Sequence, residues 1–148
     1  MTDHVTIYSD GGAKPNPGPG GWAALLIYSG TKKEISGSAA ETTNNQMELT
    51  AAIRALEALT RACEVDFYTD SQYLRQGITD WIKTWRKNGW RTAAKKPVLN
   101  QELWVRLDEL TRTHQIHWHW TRGHAGDKFN ERVDQLATQA RETITPTQ

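Results

Sequence analysis

The chain has 148 residues, 37% hydrophobic and 24% charged, with a formal net charge of +1. That length suits one domain with a sizeable core and leaves little room for a second module. No apolar run approaches the roughly 18 residues that cross a membrane, the N-terminus opens into a strand pattern rather than a signal segment, and the lone Cys63 excludes an internal disulfide, so a cytoplasmic protein is expected.

The first forty residues read as three short strands, His4 to Asp10, Trp22 to Tyr28 and Lys33 to about Ala40. The run Pro15-Asn16-Pro17-Gly18-Pro19-Gly20-Gly21 is so rich in breakers that it reads as a loop, and Ser29-Gly30 reads as a hairpin turn. Leu49, Ala52, Ile53, Leu56 and Leu59 then recur at helical spacing, with capping chemistry available at Thr43, Asn44 or Asn45. A fourth strand is predicted from about Glu64 to Thr69. A helical stretch from Ser71 should break near Gly77, and a second should run from about Thr79 to Lys87. A further helix around Gln101 to Thr111 shows Leu103, Leu107 and Leu110 on one face. The fifth strand is Gln115 to Trp120, and the last helix runs from about Asp127 to Arg141. The tail from Thr143 to Gln148 is expected to fray. This order predicts an α/β fold with a five-stranded mixed sheet, three antiparallel strands extended by two parallel ones and flanked by helices.

Four carboxylates stand out against that outline. Asp10 and Asp70 each close a predicted strand, and parallel neighbours would bring both to one sheet edge, where open α/β sheets bind ligands. Glu48 lies early in one predicted helix and Asp134 in the last, so both can be aimed at the same edge. Four converging carboxylates repel one another unless neutralised, and a hard cation with oxygen ligands, Mg²⁺, fits them best. Taken singly, each acid reads more readily as a solvated turn residue. Residues 81–96 carry Lys83, Arg86, Lys87, Arg91, Lys95 and Lys96 without an acid, leaving 12 basic against 17 acidic residues elsewhere. Such a patch favours a polyanionic partner, although a basic helix can also be a plain solvated face.

Together these motifs resemble bacterial type 1 ribonuclease H along essentially the whole chain. Asp10-Gly11-Gly12, Asn16-Pro17-Gly18-Pro19-Gly20-Gly21, Thr43-Asn44-Asn45-Gln46-Met47-Glu48-Leu49, Thr69-Asp70-Ser71-Gln72-Tyr73, Gly123-His124-Ala125-Gly126 and Asn130-Glu131-Arg132-Val133-Asp134 occur in the family's order and spacing. The resemblance implies a ribonuclease H-like fold over residues 1–142. It also implies a magnesium-dependent endonuclease that cuts the RNA strand of an RNA·DNA hybrid, leaving 3′-hydroxyl and 5′-phosphate ends; a monomer is assumed, since the sequence does not give the oligomeric state. Asp10, Glu48, Asp70 and Asp134 match the family's ligands for two Mg²⁺ ions, with Mn²⁺ as a substitute and Asp10 as the natural bridge. His124 matches a residue that assists proton transfer and product departure; without the family it would read as a surface histidine.

Asn16, Thr43, Asn44, Asn45 and Gln72 match the family's hybrid-contacting positions, where amides can read 2′-hydroxyls without reading sequence. Capping or turn chemistry remains open for the same residues. The basic segment is similar to the family's protruding substrate-binding element, with Lys87, Arg91, Lys95 and Lys96 as phosphate contacts and Trp81, Trp85 and Trp90 read as packing rather than stacking on bases. His117 and His119 alternate with Trp118 and Trp120 and read as one sheet face, not a zinc cluster. Two departures are visible: Asp127-Lys128-Phe129 lacks the expected proline, and residue 13 is Ala. The competing readings are another nuclease or strand-transfer enzyme on the same fold, and a catalytically silent hybrid-binding protein.

Overall fold

The computed structural model describes residues 3–121 and 127–143. Five strands, β1 (Asp3–Ala13), β2 (Gly18–Tyr28), β3 (Thr31–Thr42), β4 (Cys63–Thr69) and β5 (Gln115–Trp120), form one sheet in the order β3-β2-β1-β4-β5. β1, β2 and β3 are antiparallel neighbours, whereas β1 with β4 and β4 with β5 pair parallel, which is the mixed sheet read from the sequence. Ser29 and Gly30 both adopt positive φ, 50° and 83°, which lets a two-residue turn close the β2–β3 hairpin.

Alternation along β1 sends side chains to two cores. Val5 and Ile7 join Leu49, Leu56, Phe67 and Trp104 beneath α1 (Asn44–Glu57) and α4 (Gln101–Thr113), while Tyr8 joins Leu25, Val133 and Ala137 beneath α5 (Lys128–Glu142). Each fully buried side chain of this kind contributes about 1.5 to 3 kcal/mol relative to exposure. Among the described residues no helix is long and apolar enough to cross a membrane.

Three elements differ from the expectation, each for a packing reason. β2 begins at Gly18, so the breaker-rich run is a loop only in its first half. A Cβ on Gly21 would lie 2.2 Å from the Ala137 carbonyl and 2.6 Å from the Arg141 nitrogen, so this glycine lets α5 press onto the sheet rather than turning the chain. The chain also does not break at Gly77. The helix α2 (Gln72–Gln76) continues through a π-helical turn, Gly77–Trp81, into α3 (Ile82–Lys87), and a Cβ on Gly77 would strike the Trp104 ring at 2.0 Å. Finally, β1 runs three residues past Asp10, which is therefore not a strand-end residue along β2. Pairing with β4 stops at Tyr8 and Tyr68, so Asp10 lies where the two parallel strands part.

The three tryptophans of the basic segment pack inward. Trp85 sits 5.5 Å from Trp104, 5.7 Å from Trp81 and 6.1 Å from Trp90, all partly buried against the core. Arg86 does not face solvent as a free cation: with Arg112 it clamps Asp108, which is fully buried. Burial alone would raise the Asp108 carboxyl, but the hydrogen bonds from Arg86 and Arg112 outweigh it and hold the group below the usual carboxylate range. His117 meets Glu64 at 3.2 Å, and His4 and His119 meet the two oxygens of Asp66 at 2.5 and 2.7 Å on one exposed sheet face.

Candidate active site

Asp10, Glu48 and Asp70 bring carboxylate oxygens within 4.8 Å of one another. The approach begins with Gly11: a Cβ there would lie 2.4 Å from the Met47 carbonyl, so only glycine lets α1 cross β1 this closely. The crossing sets Glu48 beside Asp10, and the Gly11 N–H donates to Glu48 Oε1 at 2.9 Å. Asp70 occupies the short link between β4 and α2. The Ser71 N–H donates to Thr69 Oγ1 at 3.2 Å, and Ser71 caps α2 by accepting from the Leu74 N–H at 3.1 Å, so both flanks of Asp70 are fixed. Asp134, on α5, is not part of that three-acid group but lines the same cavity as Asp10.

The electrostatics follow from this crowding. Burial, then the charges of Asp70 and Asp134, push the Asp10 carboxyl up to about 7. Glu48 is raised well above its ordinary value by burial and then by Asp10 and Asp70. Asp70 is raised as well, chiefly by burial. Among the described residues, Glu48 Oε2 is buried without a hydrogen-bond partner. A cation would resolve both features, since it supplies the missing partner and removes the cost of neighbouring negative charge. The donors are all carboxylate oxygens, so the site fits a hard ion such as Mg²⁺ or Mn²⁺ rather than a thiolate- or imidazole-preferring metal.

The amide positions fall into two groups. Thr43 is the cap of α1, its Oγ1 accepting from the Gln46 N–H at 3.1 Å. Asn16 Oδ1 accepts from the Asn44 N–H at 3.0 Å, and Asn44 Oδ1 accepts from the Ala13 N–H at 2.7 Å, which ties the loop after β1 to the start of α1. Asn45 and Gln72 make no side-chain hydrogen bond among the described residues, and Gln72 is exposed. Lys87, Arg91, Lys95 and Lys96 stand apart from the acids, on the end of α3 and on a tight turn closed by the Thr92 N–H to Lys96 carbonyl bond of 2.7 Å. His124 lies outside the described residues.

Asn100 has no place in the sequence reading. It adopts φ +60° ahead of α4, its Oδ1 accepts from Gln46 Nε2 at 3.2 Å and its Nδ2 donates to the Tyr73 hydroxyl at 3.1 Å, joining α1, α2 and α4 below the site. The only signal was an asparagine just before a predicted helix.

The profile of the RNase H family matches residues 2–142. The chain belongs to the ribonuclease H family. It is thus an enzyme, a nuclease of the hydrolase class. It is 62% identical over 133 residues to a ribonuclease H of Chelativorans sp., covering 90% of this chain and 82% of the relative. To a ribonuclease H of Halorhodospira halophila it is 61% identical over 135 residues, covering 91% of each. Among solved structures, LC9-RNase H1, a type 1 enzyme with the type 2 active-site motif, superposes with a TM-score of 0.86 at 31% identity, over 98% of this chain and 75% of that one. The ribonuclease H1 of Halobacterium salinarum gives 0.68 at 28% identity, over 95% and 99%. LC11-RNase H1, solved in complex with an RNA/DNA hybrid, gives 0.69 at 25% identity, over 96% and 99%. In this ribonuclease H family member the acids therefore sit in a nuclease fold.

Proposed function

We propose that residues 1–142 form a monomeric, Mg²⁺-dependent endoribonuclease that cuts the RNA strand of RNA·DNA hybrids and leaves 3′-hydroxyl and 5′-phosphate ends. The observation that carries this reading is the cluster of Asp10, Glu48 and Asp70 with its unpartnered buried Glu48 Oε2, in a chain of this family. Asp10, Glu48, Asp70 and Asp134 would hold two Mg²⁺ ions, which when bound supply an activated water and charge stabilisation at the leaving oxygen. The residues of the chain do the rest. The Gly11 N–H and the β1–α1 crossing hold Glu48 in register with Asp10. His124 moves a proton at the departing oxygen, a task suited to a side chain whose reference pKa is roughly 6.5.

Selection of the hybrid falls to Asn16, Asn44, Asn45 and Gln72, whose amides both donate and accept and so suit 2′-hydroxyls of an A-like strand. Thr43 keeps its capping bond and offers the same edge of α1 to a phosphate. Lys87, Arg91, Lys95 and Lys96 hold phosphates of the DNA strand. LC11-RNase H1 in complex with an RNA/DNA hybrid supports the same substrate class here.

The test presents one labelled strand as RNA·DNA, double-stranded RNA, single-stranded RNA and DNA duplex, with Mg²⁺ and with chelator. Cleavage confined to the hybrid and dependent on the ion is expected. Equal cutting of the DNA duplex, or cutting in chelator, would refute the reading.

A further inference from the structure

A cavity of about 310 Å³ opens beside Asp10 and Asp134, and the proposed hybrid contacts leave part of its wall without a role. That part carries Lys14 and Arg141, and Asn44 and Thr138 also line the cavity. We propose that this cavity seats a backbone phosphate of the RNA strand adjacent to the one being cut, with Lys14 and Arg141 as its anchors. The inference rests on the hybrid reading and deepens it.

Helix geometry makes the wall a built feature. Asp134, Thr138 and Arg141 recur at i, i+4 and i+7, so they form one stripe along α5. The contact of Ala137 and Arg141 backbone with Gly21 pins that stripe to the sheet. Just after β1, the Lys14 N–H donates to the Pro19 carbonyl at 3.0 Å, which fixes where its side chain leaves the backbone. Asn44 spends its Oδ1 on the Ala13 N–H, so its remaining side-chain capacity is the pair of Nδ2 donors.

The chemistry of the lining selects the ligand. The acids Asp10 and Asp134 share the lining with the cations Lys14 and Arg141, together with glycine and short polar side chains. Among the described residues no aromatic side chain lines the cavity, whereas two cations and an amide donor suit phosphate oxygens. A strand whose scissile phosphate lies over the acids carries its next phosphate into their repulsive field, and Lys14 and Arg141 offset that field on the side where α5 covers the sheet. The basic segment of residues 81–96 belongs to α3 and the turn that follows, on the face packed by α1 and α4. The enzyme thus grips the hybrid from both sheet faces.

The experiment uses the Asp70→Asn protein with Mg²⁺, so that the hybrid stays uncut while its binding is followed by fluorescence anisotropy. Lys14→Gln with Arg141→Gln should weaken binding about tenfold, as expected when a charge-assisted hydrogen bond is removed. The log–log salt slope should fall by about 0.7 or more. Lys14→Arg with Arg141→Lys should retain both, which separates charge from a structural effect. A single uncharged methylphosphonate, walked through the RNA linkages around the cut, should cost Asp70→Asn alone affinity at one position and cost the doubly neutralised protein nothing further there. Unchanged affinity and slope in the Gln pair, equal losses in the charge-keeping pair, or identical methylphosphonate profiles would overturn this inference alone. Failure of the Asp70→Asn protein to bind any hybrid would overturn the hybrid reading beneath it as well.

Discussion

Replacing Asp10 with Asn should stabilise the ion-free protein at alkaline pH, although it removes the central acid of the site. The Asp10 carboxyl rises from 3.8 to about 7 on folding, through burial and the charges of Asp70 and Asp134. At about 1.36 kcal/mol for each pH unit, ionising it in the folded state opposes stability by about 4 kcal/mol at most. Solvent at the mouth of the cavity and movement of exposed Asp70 and Asp134 relieve part of that, leaving a gain of about 1 to 2 kcal/mol for Asn. The sign follows from the raised folded value. The contribution of Asp10 is fully present below its unfolded value of 3.8 and is lost as pH rises through about 7. In chelator, the melting curves of parent and Asp10→Asn should therefore converge near pH 4 and separate above pH 7, with the variant higher by about 3 to 6 °C. Saturating Mg²⁺ should then raise the parent more than the variant, because only binding to the folded state contributes. A variant that melts lower than the parent in chelator at pH 8 would refute the reasoning, since Asp10 would then be a stabilising, hydrogen-bonded carboxylate rather than one member of a repulsive set.

Asp70→Asn should lower cleavage of a labelled hybrid by about 10³-fold or more while leaving its anisotropy titration near that of the parent, because the amides and basic segment still hold the backbone; cleavage near the parent rate would remove Asp70 from the metal site. His124→Ala should slow single-turnover cleavage by about 10²-fold, the usual worth of a positioned proton carrier; no change would deny it that task. Neutralising Lys87, Arg91 and Lys95 together should weaken hybrid binding and flatten its salt dependence by about 0.7 to 0.9 for each phosphate no longer neutralised; an unchanged slope would make the segment a solvated face. Gly77→Ala should destabilise the fold by about 1 to 3 kcal/mol, because the new methyl meets the buried Trp104 ring and the core must shift; a denaturant midpoint equal to the parent's would show that the π-helical turn yields freely.

What was legible in the sequence was whatever the chain repeats. Val5, Ile7 and Tyr8 announce β1 because its two faces each feed a core, and Leu49, Ile53 and Leu56 announce α1 because it covers one face of the sheet. Asp70 could be placed from its strand because β4 does end there. Asp10 could not be placed so simply: its strand runs on beside β2 after β4 has left, and pairing with two partners of unequal length leaves no mark on one strand's own sequence. Gly21 and Gly77 misled for a related reason. Glycine serves a turn and a close approach equally, and only the helix or ring packed against it tells them apart. Asn100 escaped because its use depends on residues more than 25 positions away, Gln46 and Tyr73. His124 rests on the family resemblance alone.

The Asp108 clamp divides the charges of the basic segment into two populations with different responses to salt. The side chain of Asp108 is 1% exposed and that of Arg86 42%, so salt reaches this pair less readily than Lys87, Lys95 and Lys96, which stand in water where about 10 Å of screening applies at 0.1 M. On the hybrid reading proposed above, raising ionic strength should therefore strip the segment of nucleic acid before it loosens the helix that carries it. Grip and docking would then respond separately, and a hybrid would be released and recaptured on a platform that stays in place.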